Sequence, residues 1–248
     1  MKITIIGYGR MGIEIEKVSR AKGVEVVSTI DPTNPNAKYH DISKKSIGDA
    51  DVCIDFTTSG SVVENVKKIS ALKKNLVVGT TGWYDKINAV KSIVQKNKTG
   101  LVYASNFSIG VNAFFRIVEN AAKIMDKLED YDVYGYELHH NKKIDSPSGT
   151  AKTIAEVLVR NIKRKKELQF DKVDRKINQG ELHFASIRAG SIPGTHVVGF
   201  DSIADTIELK HTARNSEGFA LGALIAAQWI CKKRGFYTIN DMMESIIK

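Results

Sequence analysis

The chain has 248 residues, of which 42% are hydrophobic and 26% are charged, and this balance excludes a disordered protein and predicts one large or two modest domains. The formal net charge is +9, but the lysines are scattered and only the stretch NIKRKKE at 161–167 concentrates them. We therefore expect a solvated basic face or an anionic small-molecule substrate, and no nucleic-acid partner. The longest apolar stretch, FALGALIAAQWI, is too short to span a membrane, and the two distant cysteines suggest neither a disulfide nor a metal site. We expect a cytoplasmic protein that does not contact a membrane.

The first segment carries a dinucleotide-binding pattern. A buried strand in MKITII leads into a turn where Gly7, Gly9 and Gly12 have GxGxxG spacing, a helix follows, and VEVVSTID predicts a second strand that ends at Asp31. In this pattern the glycines allow a tight turn, close approach of a pyrophosphate and close helix packing, while the acid accepts hydrogen bonds from ribose hydroxyls. A carboxylate there repels a 2′-phosphate, so NADH is the simpler expectation, although Arg10 leaves NADPH open.

The alternation of strand and helix continues to about residue 107. Strands are predicted in ADVCIDF, LVVG and TGLVYASNF, with helices in SVVENVKKISALKKN and DKINAVKSIVQKN between them and a polar linker, PTNPNAKYHDISKKSIGD, before the first. This order predicts an α/β fold with a Rossmann-type doubly wound parallel sheet. The loops at the carboxyl ends of these strands, including Thr57 and Thr58, should line one crevice, although threonine, serine and asparagine also favour turns for purely structural reasons.

After Phe107 the pattern changes to a long amphipathic helix, SIGVNAFFRIVENAAKIMDKL, and then to the strands DYDVYGYELHH, GELHFASIRAG and THVVGFDSIADTIELKHTA. The change predicts a second α+β domain with a mostly antiparallel open sheet. We place the dinucleotide-binding domain at 1–107, completed by C-terminal helices within 217–248, and the substrate-binding and oligomerisation domain at 108–216. The apolar second face of the predicted sheet suggests contact with other copies of the chain.

The segment ELHHNKKIDSPSGTA, residues 137–151, is predicted as a strand, a loop and a helix start. Glu137 and His139 should share one face of the strand and His140 the other. Pro147 suits a first helical turn, and Ser146 or Ser148 can cap it. Free N–H groups at a helix start, with Lys142 and Lys143 nearby, favour a carboxylate or phosphate ligand. The alternative for each feature is ordinary: exposed histidines, solvated lysines and a plain helix cap.

These residues together resemble the dihydrodipicolinate reductase family, also called 4-hydroxy-tetrahydrodipicolinate reductases, of lysine biosynthesis through diaminopimelate. The segment above is similar to the family signature ExHHxxKxDxPSGTA, and GRMG, VGTTG, NFSIGV and RAGSIPGTH extend the likeness over nearly the whole chain. The resemblance implies an oxidoreductase that moves a hydride from a reduced nicotinamide to a cyclic dicarboxylate, giving tetrahydrodipicolinate. It also implies catalytic roles for His139 in proton handling and Lys143 as proton donor. Substrate-binding roles are implied for His140, Ser148, Gly149 and Thr150.

The resemblance further implies NADH or NADPH as cofactor and a homotetramer formed through the second domain. The implied cofactor-binding residues are Gly7, Tyr8, Gly9, Arg10, Met11, Gly12, Asp31, Gly79, Thr80, Thr81, Ala104, Ser105, Asn106 and Phe107. The sequence departs from the family in a tighter glycine turn and in having no basic residue directly after Asp31. Two other functions stay open from the residues alone: another amino-acid-pathway NAD(P)-dependent dehydrogenase, and a nucleotide-sensing regulator.

Overall fold

The structure is a computed structural model that describes residues 1–247. It divides into two compact units, the first made of residues 1–109 together with the chain from 216 onward, and the second of residues 110–215. These bounds lie close to the domain limits predicted from the sequence. No helix within residues 1–247 has the length and apolar character needed to cross a membrane.

The strands are β1 (Lys2–Ile6), β2 (Glu25–Ile30), β3 (Val52–Asp55), β4 (Asn75–Val78), β5 (Gly100–Tyr103), β6 (Asp132–His139), β7 (Glu167–Gln169), β8 (Glu181–Arg188), β9 (Thr195–Asp201), β10 (Thr206–Thr212) and β11 (Gly235–Thr238). The helices are α1 (Arg10–Ala21), α2 (Lys44–Ile47), α3 (Val62–Ala71), α4 (Ile87–Asn97), α5 (Ile109–Met125), α6 (Gly149–Asn161), α7 (Glu217–Ile230) and α8 (Ile239–Ile247), and a 3₁₀ turn covers Tyr84–Lys86.

The first unit is built on a six-stranded sheet in the order β11-β5-β4-β3-β1-β2, with every pair parallel. The central strands β3 and β4 are wholly buried, which explains why their sequences VCID and NLVV lack the polar alternation of a one-sided sheet. The predicted Rossmann-type sheet is therefore confirmed. Its strands end at one edge, where the predicted cofactor loops begin.

Several predicted bounds in the first unit are wrong. The predicted polar linker contains α2, which begins with a capping box between Ser43 and Ser46. Helix α3 stops at Ala71 rather than running to Asn75, because Lys73 adopts a positive φ of 61° and Asn75 already belongs to β4. Strand β11 was not predicted. Its four residues pair with β5 in the sheet, and such pairing with a distant segment leaves no periodic signal in so short a stretch.

The second unit contains a mixed sheet in the order β10-β9-β6-β8-β7. The two longer ladders, β10 with β9 and β9 with β6, are antiparallel, so the predicted mostly antiparallel sheet is confirmed. However, β6 runs parallel to β8, and β8 is parallel to the unpredicted strand β7. Helix α6 lies between β6 and β8 in the chain, as the connection between parallel strands requires.

One face of the second sheet packs on helices α5 and α6. Val133, Phe184, Val198 and Phe200 of the sheet form one buried cluster with side chains of both helices. The alternation predicted for β6 is confirmed, because Val133, Gly135, Glu137 and His139 are buried in turn. Polar residues on this buried face need partners, and the candidate site is made from them.

The basic stretch at 161–167, whose role the sequence leaves open, contains one buried lysine. Lys165 is only 2% exposed, and its Nζ contacts Asp132 Oδ1 at 2.6 Å. The same ammonium donates to the carbonyl oxygens of Gln179 and Glu181. Lys165 is therefore a structural cation that joins the start of β6 to the start of β8.

Candidate active site

The predicted strand-to-helix turn of the second unit has the expected order, with one correction at the helix start. Ser148 is the N-cap of α6, and its Oγ accepts a hydrogen bond from the Ala151 N–H at 3.1 Å. Pro147 therefore lies before the cap rather than in the first helical turn, and Ser146 is not the cap. Gly149 and Thr150 occupy the first two helical positions, where the N–H groups have no acceptor within the helix.

A buried carboxylate, Glu137, organises this turn. Its side chain is fully buried, and its Oε1 accepts hydrogen bonds from the Ser148 N–H at 2.9 Å, Ser186 Oγ at 2.9 Å and Arg188 Nη2 at 2.8 Å. Ser148 Oγ donates to the other oxygen, Oε2. Strand register explains the assembly, because Glu137 lies opposite Ser186 in β8 and opposite His196 in β9.

Burial by itself would raise the pKa of Glu137. Hydrogen bonds with His196, Ser148 and Arg188 outweigh that effect and hold the pKa well below its ordinary value. The group is therefore a carboxylate at neutral pH. Its charge is matched by the guanidinium of Arg188, as a buried charge requires.

Two imidazoles face the second oxygen of this carboxylate. His139 Nε2 lies 3.3 Å from Glu137 Oε2, and His196 Nε2 lies 3.4 Å from the same atom. The two rings are 5.3 Å apart between centroids and nearly perpendicular. Burial lowers the pKa of His139 to about 4 despite the nearby carboxylate, so this imidazole is neutral at neutral pH.

The backbone of Gly194 fixes the position of the His139 ring. A Cβ at this glycine would lie 2.8 Å from His139 Cε1, and the glycine has a φ of +150°. Gly194 belongs to the segment RAGSIPGTH and lies just before β9. A side chain at this position would displace the imidazole, so the site requires glycine here.

The loop between β6 and α6 carries the predicted proton donor. Lys143 Nζ contacts Asp145 Oδ1 at 2.6 Å, and its side chain is 21% exposed. Burial raises the pKa of Asp145, but the hydrogen bond and charge of Lys143 outweigh it and lower the pKa. Arg188 Nη2 also donates to the Asp145 carbonyl at 2.8 Å. His140 is half-buried and follows the last residue of β6.

The glycine turn of the first unit has the geometry expected for a dinucleotide. Gly7 has a φ of +88°, and a Cβ there would lie 2.2 Å from the Phe56 carbonyl oxygen. A Cβ at Gly12 would lie 2.2 Å from the Gly7 carbonyl oxygen, so this glycine allows α1 to pack on the turn. Gly9 is the N-cap of α1 and has open space where a side chain would be. Arg10 and Met11 follow it in the first helical turn, and the N–H groups of that turn suit a pyrophosphate.

Asp31 lies directly after β2, and both of its carboxylate oxygens already accept hydrogen bonds from neighbouring loops. Its Oδ1 accepts from the N–H groups of Thr33 and Asn34 and from the Thr33 hydroxyl, each at 2.9 Å, and its Oδ2 accepts from the Tyr8 N–H at 2.9 Å. Burial raises the pKa of Asp31, but these hydrogen bonds outweigh it and lower the pKa. Because a carboxylate oxygen has two lone pairs, Oδ2 retains an acceptor site for a further donor.

A cavity of about 570 Å³ adjoins this carboxylate within the first unit. Its lining contains three predicted cofactor residues, Gly7, Gly9 and Asp31, and also two basic residues, His40 and Lys68, that the sequence did not single out. Neither residue directly follows Asp31: His40 comes nine residues later in the same loop, and Lys68 lies on α3. Lys68 Nζ lies 4.0 Å from Glu64 Oε1, which partly offsets its charge.

The predicted loop after β4 is held by a hydrogen bond to the end of the neighbouring strand β3. Thr80 is buried, and its hydroxyl donates to Asp55 Oδ1 at 3.0 Å. The Thr57 N–H and hydroxyl donate to the same oxygen, at 3.1 and 2.7 Å, so Asp55 joins the loops after β3 and β4. Burial raises the pKa of Asp55 against the effect of these hydrogen bonds.

The remaining predicted cofactor residues range from exposed to buried. Gly79 is half-buried against the Phe56 ring, whereas Thr81 and Ser105 are exposed. Ala104 and Phe107 are buried, and the Ala104 N–H donates to the Val78 carbonyl oxygen at 3.2 Å. Asn106 Oδ1 accepts a hydrogen bond from the Ser108 N–H at 2.8 Å.

Comparison with known proteins agrees with both units. The model of the dihydrodipicolinate reductase N-terminus matches residues 1–107, and the model of the C-terminus matches residues 110–243. The chain belongs to the dihydrodipicolinate reductase family. Membership of this family implies a nicotinamide nucleotide as cofactor.

Relatives in this family match over their full length. The 4-hydroxy-tetrahydrodipicolinate reductase of Christiangramia forsetii is 38% identical over all of this chain and all of its own. That of Archaeoglobus fulgidus is 37% identical over 98% of this chain and 100% of its own. The solved structure of dipicolinate-bound dihydrodipicolinate reductase from Paenisporosarcina sp. TG-14 has a TM-score of 0.79 at 22% identity, covering 97% of this chain and 98% of that one, and it shows the shared fold.

Proposed function

We propose that this chain reduces 4-hydroxy-tetrahydrodipicolinate, or the dihydrodipicolinate derived from it, to tetrahydrodipicolinate with a reduced nicotinamide nucleotide, in the diaminopimelate route to lysine. The observation that carries the proposal is the match of both halves of the chain to dihydrodipicolinate reductase models, together with full-length relatives of that named activity. The ionic groups at the strand-to-helix turn support it. They suit a small dianion that must also receive a proton.

The start of α6 and the adjoining loop bind the substrate in this proposal. Gly149 and Thr150 offer N–H groups at the positive end of the helix dipole, and Thr150 adds a hydroxyl. Ser148 aligns these groups because its Oγ caps the helix while its N–H is held by Glu137. His140 and the ammonium of Lys143 complete the set, so a substrate carboxylate meets both hydrogen-bond donors and positive charge.

Lys143 supplies the proton. Hydride arrival leaves an electron pair on the substrate, and an ammonium within hydrogen-bond reach can both bind the anion and protonate it. The ion pair with Asp145 holds the ammonium in place before substrate binds. His139 is neutral at neutral pH, so its role is to accept or relay a proton rather than to add positive charge.

The first unit holds the cofactor through the glycine turn, Asp31 and the loops joined by Asp55. A reduced nicotinamide nucleotide supplies the hydride when bound. The open space at Gly9 and the free acceptor on Asp31 fit the pyrophosphate and a ribose hydroxyl. NADH is preferred over NADPH, because the Asp31 carboxylate repels a 2′-phosphate while the charge of Lys68, a lysine in the cavity lining, is partly offset by Glu64.

The chain assembles into a homotetramer through the outer face of the second sheet. Tyr134, Tyr136 and Leu138 lie on the face of β6 opposite Glu137, and Ile187 on β8 is 47% exposed. Such a face is costly to leave in water, which favours a second copy as its cover. Ile187→Glu should lower the mass measured by light scattering, and the exposed residue Ile203, mutated in the same way, is the matched control.

The deciding experiment follows oxidation of NADH and of NADPH with freshly prepared 4-hydroxy-tetrahydrodipicolinate. Substrate-dependent oxidation that is much slower in Lys143→Ala supports both the reaction and the role of the lysine. Oxidation of neither nucleotide by a folded protein would reject the proposed reaction. Comparison of kcat/KM for the two nucleotides tests the stated preference in the same assay.

A further inference from the structure

Glu137, His139 and His196 of the second unit form a cluster that resembles a metal site. One carboxylate oxygen and two ring nitrogens from these three buried residues lie within 4.8 Å of one another. His139 is 9% exposed and His196 is 5% exposed. His139 Nε2 is buried, has no hydrogen-bond partner and lies 3.3 Å from the carboxylate oxygen. We propose that this cluster binds a divalent transition-metal ion, Zn²⁺ being the best match, through His139 Nε2, His196 Nε2 and Glu137 Oε2.

The spacing of the donor atoms supports this assignment. Zn²⁺ binds histidine nitrogen and carboxylate oxygen at about 2.0–2.2 Å, so neighbouring ligands in a tetrahedral site are separated by about 3.3 Å. The distances from Glu137 Oε2 to the two ring nitrogens are 3.3 and 3.4 Å. Both distances from the carboxylate to the imidazoles therefore fit a single ion. The donor set of two imidazoles and one carboxylate suits Zn²⁺ and its neighbours in the first transition row better than Mg²⁺ or Ca²⁺.

The surrounding groups hold the carboxylate ligand in place. Arg188, Ser186 and the Ser148 N–H all bind Oε1, the oxygen that does not face the imidazoles. Ser148 Oγ contacts Oε2 and lies 3.3 Å from His196 Nε2, which makes it a candidate fourth ligand or a partner for a metal-bound water. The guanidinium of Arg188 opposes a cation, so the site should bind more weakly than a thiolate zinc site.

Metal binding at this position would inhibit the enzyme. The ion would occupy His139 Nε2, so this imidazole could no longer accept or relay a proton. This consequence rests on the proposed function, whereas binding itself does not. The two are therefore measured separately.

Binding is tested on the full-length protein without substrate or cofactor, by titrating Co²⁺ and following its visible absorption, and by titrating Zn²⁺ calorimetrically. The wild type should bind one ion per chain. His196→Gln and Glu137→Gln should each weaken binding at least tenfold, while His183→Gln, a histidine outside the cluster, should not. Circular dichroism checks the fold of each variant. If one cluster variant does not fold, His139→Gln takes its place.

Absence of binding at millimolar Co²⁺, or equal affinity in wild type and a folded cluster variant, would overturn the site. Zn²⁺ should also inhibit the wild-type reductase in proportion to its occupancy measured calorimetrically. Full activity at saturating Zn²⁺ would overturn the inhibition. If no reductase activity is found at all, the proposed function fails, and the Co²⁺ and Zn²⁺ titrations still decide the metal site.

Discussion

The N–H of Ser148 donates to Oε1 of Glu137 at 2.9 Å, so the start of helix α6 is fixed to a charge buried in strand β6. The same oxygen accepts from Arg188, which also holds the Asp145 carbonyl. One carboxylate therefore connects the helix start, the loop of Lys143 and the neighbouring strand. Its removal should affect stability and substrate binding together.

Glu137→Gln should destabilise the protein by about 3 kcal/mol, because it leaves the partly buried guanidinium of Arg188 without its counter-charge. Chemical denaturation measures this change, and KM for the dicarboxylate substrate should rise in the same variant. Glu156→Gln, on the exposed side of α6, is the control. A loss in free energy of unfolding of less than about 0.5 kcal/mol, typical of surface changes, would contradict the central role of Glu137.

Lys143→Ala should lower kcat about a hundredfold, the usual scale for loss of a general acid. KM should rise as well, because the ammonium also attracts the anionic substrate. Steady-state kinetics with saturating substrate separates the two effects. Lys142→Ala changes the exposed neighbouring lysine and should leave kcat nearly unaltered. Near-normal turnover of Lys143→Ala would exclude this lysine as the proton donor.

Asp31→Asn should shift the nucleotide preference toward NADPH by about fivefold, since loss of one charge near a phosphate is worth on the order of 1 kcal/mol. The amide oxygen can still accept from the Thr33 and Asn34 N–H groups, whereas the amide NH2 cannot accept from the Tyr8 N–H, so that one hydrogen bond of the turn is lost. The ratio of kcat/KM for the two nucleotides is the measurement. Lys68→Ala should reduce the use of NADPH more than that of NADH. An unchanged ratio in Asp31→Asn would mean that this carboxylate does not face the ribose.

Stability should fall as the pH is lowered from about 6.5 toward 4. The folded-state pKa of His139, about 4, is below the unfolded value of 6.5, so the neutral imidazole stabilises the folded protein above pH 6.5. That contribution is lost progressively as the pH approaches 4, because over this range the imidazole takes up a proton in the unfolded chain but not in the folded one. Denaturant unfolding at several pH values should show a shallower slope over this range in His139→Gln. Parallel pH profiles for variant and wild type would rule out this contribution.

Asp55→Ala should destabilise the first unit by about 3 kcal/mol, because it leaves the buried donor of Thr80 and the partly buried donors of Thr57 and Asn65 without their acceptor. KM for the nucleotide should rise, since both loops are expected to contact it. Asp55→Asn, which keeps one acceptor oxygen, should recover part of the loss. Thermal unfolding and cofactor kinetics provide the two measurements, and Asp85→Ala at an exposed position is the control. Unchanged KM in a folded Asp55→Ala variant would separate this residue from cofactor binding.

The sequence predicted the parallel sheet and the order of the strand-to-helix turn, because both depend on local periodicity and on glycine and capping residues. It could place Glu137 and His139 on one strand face from the pleat alone. It could not select Glu137 as the organising group, since that depends on the register that sets Ser186 and His196 opposite it. Arg188 and His196 begin and end the segment RAGSIPGTH, but the sequence carries no local signal that either residue contacts Glu137.

Contacts between separate segments also explain why the sequence did not predict the environments of Lys165, His40 and Lys68. Lys165 looked like one member of a solvated run, and only its contact with Asp132 and two carbonyl groups makes it a buried cation. His40 lies in the same loop as Asp31 and Lys68 lies on α3, and only the structure shows that both line the Asp31 cavity. The sequence does not decide between Ser146 and Ser148 as the cap, because both serines flank Pro147 and either hydroxyl could accept the capping hydrogen bond.

Strand β6 is parallel to β8, and α6 lies between them in the chain, so the candidate substrate residues follow a parallel strand just as the candidate cofactor residues do in the first unit. Loops at such strand ends can change in length or composition without altering the register of the sheet below them. In evolutionary terms, ligand choice in this protein can vary at the loops, whereas Glu137, set within the strand, can change only if its partners in β8 and β9 change with it.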